Sequence, residues 1–333
     1  MIDYDFYMNL AISKAWESQA LALPNPAVGA LILDENDAII ALASHTSFGG
    51  AHAELEALKI AFMRLSGENM LEGIDSPFEI CDYLAKNHRG YFHRTKVFIT
   101  LEPCAHSGKT PSCARLLSIV KPDEVIISHR DTHKPASGGI AILESSGIKI
   151  RHGILEEKGR DLLLPFLCMC EKSSFNLYKI AQRLNASFEG GVISSEDSMI
   201  YSHKMRSNAN HIIISQRTIL CDNPLLDSRL VGGNAPNVVI VGREYRLDSN
   251  LAVFRANREV KFVGNIDGIP NFGFNIIEGG AEFFELVKDR IDCLLVFVSP
   301  DMQKGRNFSS DFCGRILHTH RIGRDIAFWI QRD

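Results

Sequence analysis

Apolar residues recur with helical spacing at Tyr7, Leu10, Ala11 and Ala15, which predicts one buried face of an opening helix. Two apolar runs follow, Ala27-Val-Gly-Ala-Leu-Ile-Leu and Ala38-Ile-Ile-Ala-Leu-Ala, separated by the turn-forming Asp34-Glu-Asn-Asp. Both read as strands. A helix then begins near His52, with Leu55, Leu58 and Phe62 on one face. The rhythm breaks over residues 66–94, where Gly67, Gly73, Pro77 and Gly90 are mixed with charges. That stretch reads as an insertion with a short helix over residues 80–86. Alternation resumes with strand Lys96-Val-Phe-Ile-Thr, a helix from about Pro111, strand Glu124-Val-Ile-Ile-Ser, a helix near Ile140 and a strand over 148–151. Residues 1–152 are therefore expected to form a three-layer α/β/α domain with helices covering a central sheet.

A helical segment over 156–171 is expected to link the halves, within a connection spanning 153–173. Strand patterns near 176–180, 211–215, 237–241, 260–263 and 293–298, with a helix starting after Gly280, predict a second α/β domain over 174–333. No internal repeat or low-complexity tract is evident.

The chain's 333 residues suit two domains. A net charge of −4 supplies no overall basic field for a polynucleotide backbone, so no nucleic-acid partner is expected. The N-terminus lacks the basic and apolar regions of a signal peptide. The longest apolar run, Cys293-Leu-Leu-Val-Phe-Val, suits a buried strand and is too short to cross a bilayer. Eight scattered cysteines form no disulfide framework, which fits a reducing cytoplasm. In that setting a cysteine cluster points to metal or catalysis.

His52-Ala-Glu54 opens a helix, Pro103-Cys104 follows a strand, and Cys113 lies behind Pro111, a good first-turn residue. Both cysteines are thus expected at helix N-termini, where the dipole favours the thiolate that binds zinc. One imidazole and two thiolates leave a fourth tetrahedral position open, as a catalytic Zn2+ site requires. Two thiolates already neutralise the metal charge, so a nearby base is needed, and Glu54 is placed to carry the proton. His-x-Glu with a later Pro-Cys is the zinc deaminase signature. Cys168 and Cys170 read as buried thiols, His88 and His93 as solvated loop residues, and His318 and His320 as neighbours on one strand face.

In detail this half resembles the bifunctional deaminase/reductase family of riboflavin biosynthesis. The matching residues are Pro24-Asn-Pro-Ala-Val-Gly29, His45 seven residues before His52, His52-Ala-Glu54 and Leu101-Glu-Pro-Cys-Ala-His-Ser-Gly-Lys-Thr-Pro-Ser-Cys113. The eight residues between Cys104 and Cys113 set it apart from the Cys-x-x-Cys spacing of tRNA adenosine and cytidine deaminases. The resemblance implies a small pyrimidine nucleotide substrate, a 2,5-diamino-6-ribosylamino-pyrimidinone 5′-phosphate losing its 2-amino group. It assigns Asn25, His45, Lys109, Thr110 and Asp131 to substrate. Where the family often has Asn after that Asp, this chain has His133.

The resemblance continues in Asn185-Ala-Ser-Phe-Glu-Gly190, Met205-Arg206, Thr218, Asp222-Asn-Pro-Leu-Leu226, Arg229 and Glu278-Gly-Gly280. It implies a C-terminal dihydrofolate-reductase-like fold using NADPH, and a homo-oligomer. Asn185, Ser187, Thr218, Asp222, Gly279 and Gly280 would then face the cofactor; Ser198, Arg206, Leu226, Arg229 and Glu278 would face the substrate. No Gly-x-Gly-x-x-Gly is present. The chain departs from the pattern in three places: Met199-Ile-Tyr-Ser replaces Trp-Ile-Thr-Gly in a shortened stretch, Asn185 and Glu189 replace Gly and Asp, and Pro-Lys-Leu-Leu-Gly is missing after Pro300. Three readings follow: deaminase with reductase, deaminase with a degenerate structural or oligomerisation module, and a tRNA or cytidine deaminase.

Overall fold

The computed structural model describes residues 2–131, 137–243 and 247–332, so His133 lies outside the described residues. The chain divides into two compact units, Met1–Leu164 and Pro165–Asp333. Among the described residues no helix is long and apolar enough to cross a membrane.

Unit one runs α1 (Tyr4–Trp16), β1 (Gly29–Leu33), β2 (Ile39–Ser44), α2 (Ala53–Ser66), α3 (Pro77–Asn87), β3 (Lys96–Leu101), α4 (Cys113–Val120), β4 (Glu124–His129), α5 (Gly139–Ser145) and β5 (Lys149–His152); α6 (Glu156–Lys172) follows and carries the division between the units. The sheet order is β2-β1-β3-β4-β5, with β1 antiparallel to both neighbours and β3, β4 and β5 parallel. Every residue of β1 is buried, as is all of β3 after Lys96, so both faces of the central strands are covered. Helix α1 approaches β1 so closely that a Cβ on Gly29 would lie 2.1 Å from the Ala11 carbonyl oxygen. Only glycine fits there.

The insertion packs on α2. Ser76 caps α3, Pro77 opens it, and Ile80 and Leu84 are buried. Lys59 on α2 donates to the Ile74 carbonyl at 2.7 Å, and the Phe62 ring meets Tyr83 and Tyr91 edge-on. The extra segment thereby braces the helix that His52 caps and whose first turn carries Glu54.

Unit two continues with β6 (Ser174–Arg183), α7 (Glu196–Asn208), β7 (His211–Ser215), α8 (Gln216–Asp222), β8 (Asn237–Val241), β9 (Val260–Val263), β10 (Gly273–Glu278), α9 (Ala281–Val287), β11 (Cys293–Ser299), β12 (Gly314–Ile322) and β13 (Asp325–Arg332). The sheet order is β12-β13-β11-β6-β10-β7-β8-β9, parallel except for β13, which runs antiparallel to β11 and β12. Tyr178, Ile213, Val239, Ile277, Phe284 and Leu294 belong to one core cluster on this sheet. Arg183, Ser215 and Glu278 end parallel strands β6, β7 and β10, the edge at which open α/β sheets bind ligands.

Candidate active site

His52 occupies the N-cap of α2, with extended backbone, which leaves its ring free of the helix. Its Nδ1 lies 3.4 Å from Cys113 Sγ and 3.7 Å from Cys104 Sγ. In a tetrahedral zinc centre, bond lengths near 2.0 and 2.3 Å place a nitrogen and a sulfur ligand about 3.5 Å apart. The two separations bracket that value, and all three ligand atoms lie within 4.8 Å of one another. One imidazole and two thiolates are also the soft, mixed donor set that zinc prefers. His52 Nε2 lies 3.0 Å from Thr110 Oγ1. A metal on Nδ1 would leave the proton on Nε2, which would donate to that hydroxyl and fix the ring.

The sequence expectation for the cysteines needs correction. Cys113 is the first residue of α4, behind the capping Ser112, and Pro111 lies before the cap, outside the first turn. Cys104 opens no helix; it sits in an irregular turn after β3. Gly108 and two prolines keep residues 102–112 from closing a helical turn. The dipole of α4 still reaches Cys104, because the Cys113 N–H donates to its sulfur at 3.4 Å. Hydrogen bonding from the Cys113 thiol, against the effect of burial, together with His52 and that N–H, brings the Cys104 thiol down to about 4. Cys113 is raised by the same partnership and by burial, so Cys104 ionises first.

Glu54 is buried in the first turn of α2, two residues from the ligand His52, and burial pushes its carboxyl above the ordinary range. His45 is also buried, and burial lowers its imidazole to about 4. Its Nδ1 donates to the Ala51 carbonyl at 2.9 Å, so Nε2 is bare and accepts from Asn25 Nδ2 at 3.2 Å. The His45 ring meets His52 edge-on at 5.2 Å. Asn25, His45, Thr110 and the three ligands therefore form one connected group.

Two other expected substrate residues are tied elsewhere. Lys109 is exposed and places Nζ 4.1 Å from the centre of the Phe48 ring. Asp131 donates its backbone N–H to Glu102 Oε2 at 3.2 Å. Glu102 and Phe48 were not singled out from the sequence. The signal for Glu102 was available: a charged residue between the apolar end of β3 and Pro103 is unusual unless several donors meet it.

In unit two, Arg206 reaches both Glu278 oxygens at 3.0 and 3.2 Å, and Lys179 Nζ lies 3.6 Å from Oε1. Lys179 faces Glu278 directly in the β6–β10 register, and it too escaped the sequence reading. Burial alone would raise the Glu278 carboxyl, but Arg206 and Lys179 hold it at about 2. Ser198 sits buried in the first turn of α7, with its N–H on Ser195 Oγ. Leu226 adopts φ +56° and its carbonyl accepts from Arg258 at 2.5 Å; Arg229 pairs with Asp227 at 2.5 Å. Asp227 and Arg229 line a cavity of about 470 Å³ with Leu225 and Arg255.

The expected cofactor residues fall into three places. Asn185 accepts from Ser187 Oγ at 3.1 Å and donates to the Gln303 carbonyl at 2.9 Å. Thr218 lies in the first turn of α8, where Ser215 caps its N–H, and Asp222 is the exposed last residue of that helix. Gly279 and Gly280 lead into α9, and their carbonyls accept from the Tyr178 hydroxyl at 2.9 and 3.3 Å. A Cβ on Gly279 would stand 2.7 Å from the Phe283 ring, so this turn needs glycine for packing as well.

Residues 1–129 match the profile of the cytidine and deoxycytidylate deaminase zinc-binding region. The riboflavin biosynthesis protein RibD of Bacillus amyloliquefaciens is 28% identical over 259 residues, 75% of this chain and 60% of the relative. The chain thus spans less than two thirds of that relative's length. The Thermotoga maritima structure described as a diaminohydroxyphosphoribosylaminopyrimidine deaminase/5-amino-6-(5-phosphoribosylamino)uracil reductase superposes with a TM-score of 0.67 at 25% identity, covering 99% of both chains. Acinetobacter baumannii RibD shares the fold, with a TM-score of 0.65 at 20% identity over 99% of this chain and 98% of that one. The N-terminal unit of this chain has the cytidine-deaminase-like architecture and its C-terminal unit the reductase-like one, and the chain as a whole is similar to the deaminase/reductase proteins of riboflavin biosynthesis.

Proposed function

We propose that the chain catalyses two successive steps on one pyrimidine nucleotide: hydrolytic loss of the 2-amino group of a 2,5-diamino-6-ribosylamino-pyrimidinone 5′-phosphate, then NADPH-dependent reduction of its ribosyl group to ribityl. The observation that carries the reading is the buried carboxyl of Glu54 beside the His52, Cys104 and Cys113 cluster. Zinc held by those three residues would supply Lewis acidity toward water. Glu54 takes the proton from the attacking water as its oxygen bonds to the ring carbon bearing the amino group. It gives that proton to the ring nitrogen, takes a second from the new hydroxyl and passes it to the leaving nitrogen, so that the hydroxyl oxygen becomes the carbonyl oxygen as the carbon–nitrogen bond breaks and ammonia departs. Burial raises the Glu54 carboxyl, which favours its holding a proton between the two halves of that exchange. Neutral His45 and Asn25 orient the ring, Thr110 steadies His52, Asp131 holds substrate, and Lys109 exchanges the face of Phe48 for the 5′-phosphate.

In unit two NADPH would supply the hydride. Arg206 and Lys179 keep Glu278 ionised, ready to accept hydrogen bonds from ribose hydroxyls. Ser198, Leu226 and Arg229 complete the substrate side; Asn185, Ser187, Thr218, Asp222, Gly279 and Gly280 form the cofactor side. A cytoplasmic homo-oligomer completes the reading.

The test is direct. Purified protein is analysed for zinc, for ammonia release from the diaminopyrimidine phosphate, and for NADPH oxidation with the deaminated product. Ammonia release with NADPH oxidation supports both steps. Ammonia release alone reduces the second unit to a structural module, and neither activity overturns the proposal.

A further inference from the structure

Glu102 is the last residue before Pro103-Cys104, and its side chain is buried at 8% exposure. Its carboxylate collects three backbone donors: Asp131 on Oε2 at 3.2 Å, and Gly138 and Ile140 on Oε1 at 3.1 Å each. Its own N–H donates to the His129 carbonyl at 2.9 Å. The same stretch lies hard against the turn that bears the metal ligand. A Cβ on Gly139 would stand 1.9 Å from the Pro103 carbonyl oxygen, and one on Gly138 would stand 3.8 Å from Ala105 Cβ. One charge thus fixes the end of β4 and the start of α5 to the Cys104 turn.

Cys104 has independent anchors. Its carbonyl accepts from Ser112 Oγ at 2.8 Å and from the Ala114 N–H at 3.2 Å, and its sulfur accepts from the Cys113 N–H at 3.4 Å. Removing the Glu102 charge therefore leaves the ligand in place and releases the wall facing it. We propose that Glu102 is a positioning residue of the deaminase, registering the wall of Asp131 and Gly138 to Ile140 against the metal turn so that substrate is held at the correct distance from the ligands. The inference rests on the deaminase reading above.

Glu102→Gln separates this role from a merely structural one. A carboxamide satisfies Gly138 and Ile140 with its oxygen but turns an NH2 group toward the Asp131 N–H, so one strap is lost and two remain. The zinc-loaded variant should keep the metal content of the wild type and show faster amide exchange at Asp131. Its KM for ammonia release should rise roughly tenfold, the scale of a lost charge-assisted hydrogen bond, with a smaller change in kcat. Glu102→Asp keeps the charge on a shorter arm and should raise KM less, which also covers the case in which the Gln variant does not fold. Loss of zinc in the Gln variant, unchanged exchange at Asp131, or a wild-type KM in both variants overturns the proposal. A wild type that binds zinc yet releases no ammonia instead overturns the deaminase reading beneath it, and the two failures are told apart in one experiment.

Discussion

The N–H of Cys113 points at the sulfur of Cys104 across 3.4 Å, so the first residue of α4 supplies one metal ligand with its side chain and stabilises the other with its backbone. The helix terminus acts on both thiolates although only one stands on it. This explains how the half-buried Cys104 thiol is held ionised while burial and the same pairing raise Cys113.

Thr110 would act on a bound metal through His52. Thr110→Val removes the acceptor 3.0 Å from Nε2 while keeping the side-chain shape. Zinc affinity should fall roughly 10- to 100-fold, the usual effect of losing a partner of a ligating imidazole. Competition with a chromophoric chelator measures it, and Thr110→Ser should restore most of the loss. Equal affinities for wild type and the Val variant would show that the hydroxyl does not orient the ring.

Glu54→Gln tests proton carriage apart from metal binding. The amide fits the buried site without a charge, so zinc content and thermal unfolding should stay close to wild type. Ammonia release should drop by about 10²- to 10⁴-fold, the contribution of a positioned acid–base group. Stopped assays with ammonia detection give the number. A variant that deaminates at the wild-type rate would remove Glu54 from the mechanism.

Much of unit one was legible because its buried strands are continuous apolar runs and its helices carry clear periodicity; His52, Glu54 and the two cysteines stand where those patterns change. Cys104 was misplaced on a helix because a Pro-Cys after a strand looks the same whether a helix or a turn follows. Glu102 and Lys179 were missed for a different reason. Each is a charge whose partners are remote in sequence, residues 131–140 for one and Glu278 for the other. Strand β10 was overlooked because Asn275 interrupts its apolar run; there it is fully buried and bonds His211 and Asn176. The β12–β13 hairpin carries His318, Thr319 and His320 in place of an apolar alternation, so the sequence shows only a shared strand face for His318 and His320 and not the extent or pairing of the two strands.

Gly139→Ala should be among the most damaging small substitutions in unit one. The added methyl would lie 1.9 Å from the Pro103 carbonyl, a backbone atom next to Cys104 that cannot yield cheaply. Overpacking of this kind costs about 1–3 kcal/mol. Urea unfolding monitored in unit one should show that loss together with reduced zinc retention. A neutral result would mean that the turn and α5 separate readily.

The Arg206–Glu278–Lys179 group makes a prediction about acid stability. Glu278 is held at about 2 in the folded protein against 4.5 for the free side chain, so between those values the unfolded chain binds the extra proton. Stability from this group is complete above pH 4.5 and declines as pH falls toward 2. Across that window the loss reaches at most about 3 kcal/mol. Glu278→Gln should remove that pH dependence. At neutral pH it should cost about 3 kcal/mol, because Arg206 and Lys179 are left buried without an anion. The Glu278→Gln/Lys179→Met double variant should recover part of the loss, since one uncompensated cation is then gone. Denaturant titrations at pH 3, 4 and 7 on the wild type and both variants decide it. If the wild type and Glu278→Gln lose stability in parallel below pH 4.5, the acid sensitivity of unit two arises elsewhere and the group does not hold its carboxylate as described.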